Sequence, residues 1–165
     1  MQVARARLRV LPVPSCSMLE SLLAFFHIAA ILGWVALVSA QMALCRAKWL
    51  NDAALRHLSR LDALLWLAAA LVLVSGLLRV YLGKFGAAFY WTNWLLHLKL
   101  TLFAVVLVLQ ALVTYRLSVW RTALPALPPV AKVRAVRMLL LAATCLMALL
   151  PLVGALMARG FGARG

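Results

Sequence analysis

The sequence predicts an all-α protein, a four-transmembrane-helix bundle, and three observations carry that prediction. Hydrophobic residues make up 67% of the 165-residue chain, charged residues only 12%, and mean hydropathy is +1.05. A soluble domain of this length has too little interior to hide so much apolar surface. Apolar runs recur four times, at about 19–44, 61–82, 94–115 and 136–157. Each reaches the roughly 20 residues that cross a hydrocarbon core about 30 Å thick. Basic residues, finally, gather between the runs and in the tails rather than within them.

The net charge of +14 sets 17 Lys and Arg against three acids, Glu20, Asp52 and Asp62. No soluble module is left to present a basic face, so a nucleic-acid partner is excluded. The basic connections instead follow the positive-inside rule and meet anionic headgroups. Arg46, Lys48, Arg56, Arg60, Arg116, Arg121, Lys132, Arg134 and Arg137 share one side. The other side has Arg79, Lys84, Arg159 and Arg164, with Arg5, Arg7 and Arg9 in the N-terminal tail. This imbalance predicts a multi-pass protein with both termini outside the cytoplasm. Cys16, Cys45 and Cys145 lack metal-site spacing and a disulfide pattern, and Met42, Met138, Met147 and Met157 form no copper-type cluster.

Residues 1–17 read as an appendage, with Pro12, Pro14 and three arginines, and are expected to be poorly ordered. Met18-Leu19-Glu20 reads as a natural start, so the membrane domain is taken as 18–162. The first span carries Glu20, His27, Trp34 and Gln41 at intervals of seven. Seven residues are nearly two helical turns, so these side chains form one stripe, which should face the bundle. The connection from Arg46 to Arg60 includes His57, expected in solvent. Asp62 opens the second run, where it either complements the helix dipole or pairs with Arg60 or Arg116. Asp62, Ala69 and Gly76 again recur at sevens, and small residues there permit close helix approach.

The stretch from Gly76 to Phe103 organises the rest. Arg79 and Lys84 end one helix, Gly83 and Gly86 permit tight turns, and Tyr90, Trp91 and Trp94 announce a headgroup belt. The connection should therefore fold back over the bundle end. Lys99 then enters an apolar helix, at an insertion cost of about 2.5–3.5 kcal/mol near the bilayer centre. His97 and Lys99 lie about 200° apart around that helix. Asn93, His97 and Thr101 make one polar stripe, and Lys99 with Gln110 another. Lys99 either faces protein or snorkels toward the tryptophans. Pro125, Pro128 and Pro129 force an extended connection before the fourth span, whose Pro151 and Gly154 predict a kink.

The segments Gly76-Leu77-Leu78-Arg79-Val80, Lys84-Phe85-Gly86-Ala87-Ala88-Phe89-Tyr90, Asn93 with Lys99, and Ala155-Leu156-Met157-Ala158-Arg159-Gly160 resemble a bacterial family of predicted four-helix inner-membrane proteins. That resemblance implies the fold and the membrane but no particular reaction. His27-Ile28-Ala29 followed by Trp34, and Trp94 followed by Lys99, are more distantly similar to HemJ-type protoporphyrinogen oxidases and CopD-like copper proteins. The HemJ-type likeness implies haem b and oxidation of a porphyrinogen.

Three functions follow as expectations. One is an accessory or structural subunit of a larger membrane complex, or a homo-oligomer, with no chemistry of its own. The second is a haem b-binding redox or electron-transfer protein, with His27 as one axial ligand and His97 or Lys99 as the other. The third is a transporter or assembly factor for a small ligand, with Lys99 and Arg79 attracting an anion. Arg79, Lys84, Tyr90, Trp91, Asn93 and Trp94 are expected to contact lipid or a partner.

Overall fold

The computed structural model describes residues 16–83, 86–159 and 161–162. The appendage, Lys84 and Arg164 thus lie outside the described residues or mostly so. Helices α1 (Cys16–Leu44), α2 (Asp52–Leu82), α4 (Trp94–Thr122) and α5 (Val130–Ala158) are each long and apolar enough to cross a membrane. A short α3 (Gly86–Thr92) joins α2 to α4. It is the element the sequence left as a plain connection. Gly86 starts it in the left-handed region, at φ +74, where a side chain would be strained.

The bundle closes as a ring in the order α1, α2, α4, α5, with neighbours antiparallel. α1 and α4 meet across the middle, where Trp34 packs against Phe103 with ring centroids 5.4 Å apart. Leu55, Leu58, Leu65, Val106, Val113 and Leu140 fill the rest of the core. No more than 28% of each span's most apolar window is buried. The remainder, with exposed Phe25, Phe26, Leu32, Leu67 and Val108, is the surface a bilayer would cover.

The helices outrun the apolar runs. α2 begins at Asp52 rather than 61, α4 reaches Thr122, and α5 starts at Val130. Local chemistry extends them into the headgroup layer. The Asn51 side chain accepts a 2.8 Å hydrogen bond from the Ala54 N–H, a helix N-cap. Asp52 sits at the positive end of the helix dipole and pairs with Arg56 one turn on.

This extension corrects the expectation for Asp62. It does not open α2; it is the eleventh residue of that helix and is buried. No arginine pairs with it among the described residues. Its Oδ1 instead accepts from Gln41 Nε2 (3.2 Å), Gln110 Nε2 (2.8 Å) and Thr114 Oγ1 (3.1 Å). Gln110 also donates to Gln41 Oε1 at 3.2 Å, and Trp66 Nε1 donates to Thr114. Three helices are thereby tied at the end of the bundle nearest the basic connections. Donors aimed at one oxygen replace the water that the carboxyl group gave up.

At the opposite end Asn93 ties α4 to the chain's C-terminal turn. Its Oδ1 accepts from the Leu95 N–H at 2.9 Å, and its Nδ2 donates to the Phe161 carbonyl at 3.1 Å. Gly162, at φ +79, lies so close that a Cβ there would come within 2.6 Å of Asn93 Oδ1. Asn93, expected at a lipid or partner surface, is fully buried.

Removing a donor from the Asp62 network should cost more than breaking a surface pair. Gln110→Leu is expected to destabilise the bundle by about 1–3 kcal/mol, because an acceptor is left buried with fewer partners. Arg56→Ala, at a pair whose side chains are more than half exposed, should cost less than about 1 kcal/mol. Reversible unfolding in mixed micelles compares the two.

Candidate functional site

At the α3 end, between the four long helices, lies a cavity of about 370 Å³. Pockets of roughly 300–1,000 Å³ hold small organic ligands. Its wall is chiefly apolar, with Ile31, Phe103, Met147 and Leu150, and its polar members are His27, Arg79, Tyr90 and Lys99. Tyr90 and Trp91 of α3 also line it, so this short helix closes over the bundle end.

His27 is buried, as the seven-residue stripe requires, together with Trp34 and Gln41. Its Nδ1 lies 2.8 Å from Ser75 Oγ. Ser75 has one hydroxyl proton, and it donates that proton to the Leu71 carbonyl at 2.6 Å, with Val72 at 3.2 Å. With that proton spent on a carbonyl, Ser75 accepts from the ring, so the tautomer we expect is Nδ1–H, which leaves the lone pair on Nε2. The ring lines the cavity. Gly76 completes the seat: a Cβ there would lie 3.2 Å from His27 Cε1, tighter than ordinary contact.

The structure separates His97 from Lys99 as the 200° spacing demands. Lys99 lines the cavity with His27, half-buried, while Gln110 on the same stripe is buried in the core. Its Nζ would lie 3.5 Å from a Cβ at Gly154, in ordinary contact, so the amine reaches α5 at this glycine. Pro151, one turn earlier, has no N–H for the Met147 carbonyl and also lines the cavity. His97 is exposed outside the cavity, and its Nε2 bonds the Trp91 carbonyl at 3.0 Å. His97 thus joins α4 to the end of α3, and the structure does not bring it to His27.

Arg79 lines the cavity and is half-buried. Burial pushes the Tyr90 phenol up from its usual value, with Arg79 opposing and Glu20 adding to the rise. Tyr90 therefore stays protonated at neutral pH, as a hydroxyl near the cavity rim. Trp94 is 55% exposed on the outer surface, suited to a headgroup belt.

Ser75 was not singled out in the sequence, and Trp34 was singled out for its place on the stripe rather than for its ring N–H. Ser75, which orients His27, is one of many helix serines, and only its position beside His27 gives it meaning. The indole N–H of Trp34 is buried without a hydrogen-bond partner among the described residues, in a ring that lines the cavity. Such an orphan donor costs about 1–3 kcal/mol. Among the described residues there is no group of three or more His, Cys, Asp or Glu able to hold a metal ion.

A short polar set on an apolar wall, inside four spans, is the setting in which the comparison with known families falls. The chain belongs to the DUF2214 family. The family is described as "Predicted membrane protein (DUF2214)", and its model matches residues 19–162. That range takes in α2, α3, α4, α5, all but the first turn of α1, and every residue of the cavity wall. No curated protein and no solved structure gives a significant match.

Two outcomes check this geometry. In long-range nitrogen–proton NMR spectra of ring-labelled protein, His27 should appear as the Nδ1–H tautomer, and Ser75→Ala should turn it into a mixture of tautomers. At the basic end, burial pushes the Cys45 thiol up to about 11, against an opposing effect of Arg137. A raised thiol value means less thiolate, so alkylation of Cys45 at pH 8 should run about a hundredfold slower in folded than in denatured protein. Mass spectrometry of the labelled peptide gives the rates.

Proposed function

We propose that this protein binds a small amphipathic ligand within the membrane, in the cavity between His27 and Lys99. The observation that carries this reading is that buried His27 lines the cavity with its Nδ1 2.8 Å from Ser75 Oγ, an arrangement in which the Nδ1–H tautomer turns an Nε2 lone pair to the cavity wall. A histidine that merely packed between helices would need neither a cavity nor an oriented free nitrogen. An accessory subunit without chemistry of its own has no use for either, so the ligand-binding function is preferred to it.

Haem b is the cofactor that this residue set fits. His27 would ligate the iron through Nε2, with Ser75 holding the ring as second-shell partners of metal-bound histidines do. Lys99 is the residue of α4 available as its counterpart, since it shares the cavity, and His97 is not. Bound haem would supply one-electron redox chemistry. The apolar wall would keep water from the site, Tyr90 would hold a proton at its hydroxyl, and Gly76 and Gly154 would leave room beside His27 and Lys99. We place the cavity on the periplasmic side of a bacterial inner membrane, because the basic connections lie at the other end.

Protein purified in detergent after expression with ample haem should show a Soret band. His27→Ala should weaken haem binding at least tenfold, Lys99→Ala should shift the band, and His97→Ala should leave it in place. Folding of each variant is checked by its melting temperature. A haem-supplied wild type without a Soret band overturns the haem assignment and leaves the cavity to another ligand.

A further inference from the structure

Among the described residues, Arg79 and Lys99 are in the cavity wall and no Asp or Glu is. Among the described residues the only ion pair joins Arg56 to Asp52, near the far end of α2. Neither cavity cation therefore has a described carboxylate within 4.0 Å. They stand on different helices, α2 and α4, yet are close enough to act on each other electrostatically. Two like charges held together beside hydrocarbon are costly, and proteins ordinarily pair such groups. No carboxylate of the described residues meets these cations, whereas at the other end of the bundle three side chains converge on Oδ1 of the buried Asp62.

A ligand that supplies the missing charge must also match the wall. A small inorganic anion would neutralise the cations but leave about 370 Å³ lined by Ile31, Phe103 and Leu150 unfilled. A neutral apolar molecule would fill the space and leave the cations unpaired. We infer that the ligand is an anionic amphiphile whose carboxylate or phosphate is held by Lys99 and Arg79 while its apolar body lies along the α1–α4–α5 wall. The unpartnered Trp34 indole N–H offers a further donor to an acceptor on that body. This inference rests on the cavity being a ligand site, and it holds for haem and for lipid-like ligands alike because it concerns charge rather than metal.

The test uses full-length protein in phosphatidylcholine nanodiscs and cis-parinaric acid, read by energy transfer from the cavity tryptophans. The uncharged methyl ester serves as a probe of the same body. The acid should bind at least tenfold tighter than the ester. Lys99→Met and Arg79→Met should each weaken the acid at least tenfold and leave the ester unchanged, while Lys99→Arg should retain most of the binding. Arg134→Met, at an exposed position far from the cavity, should have no effect. Displacement of the acid by palmitate or by lysophosphatidic acid then distinguishes a carboxylate ligand from a phosphate one. Equal binding of acid and ester, by wild type and by both cation variants, overturns the anionic assignment and leaves a site for neutral ligands. An Arg134→Met loss equal to that of Lys99→Met also overturns it, as attraction to the basic surface alone. If neither probe binds to protein that melts normally, the cavity reading falls with it.

Discussion

Every polar group that this chain carries into the bilayer has to be answered inside the bundle, because lipid tails offer no hydrogen bonds. The two ends of the molecule answer differently. Near the basic connections, Gln41, Gln110 and Thr114 converge on one oxygen of Asp62 and tie three helices together. Near α3, among the described residues, the Trp34 N–H has no hydrogen-bond partner and neither Lys99 nor Arg79 has a carboxylate within 4.0 Å. The proposed ligand site rests on this second arrangement.

Absent side chains shape the open end as much as present ones. A side chain at Gly76 would crowd the His27 ring, and the Lys99 amine comes into contact with α5 at Gly154. Pro151 loosens the backbone of α5 at the same level. In water such helices would gain from filling these gaps with methyl groups. In lipid, where helix association depends on close contact rather than on escape from solvent, small residues cost less and create space where function needs it. The short α3, held by the His97 bond to Trp91 and by the Asn93 cap that follows it, then roofs that space.

Membership of a family described only as membrane proteins gives this geometry the burden of the functional argument. Helical phase alone had already set His97 against Lys99, and packing turned the Lys99 stripe inward to the cavity and left His97 exposed. The same packing withdrew Asn93 from the surface and made it a cap on α4. These outcomes share a cause: position along a helix is local, whereas the identity of the neighbouring face is not.

The sequence by itself determined the four spans, their antiparallel order, and the inward stripe of His27, Trp34 and Gln41. Those follow from hydropathy and from the 3.6-residue period, which need no knowledge of neighbours. It misplaced the helix ends, because apolar runs report hydrocarbon thickness while the Asn51 cap and the Asp52–Arg56 pair carry α2 onward into the headgroups. It misjudged Asp62 for the same reason, taking the start of the apolar run for the start of the helix. Only the tertiary structure decided that Ser75 orients His27, that Lys99 and Arg79 face one cavity, and that no acid joins them there. Those are relations between helices distant in sequence, and they depend on the rotation and crossing of each span against the next, which no single helix encodes.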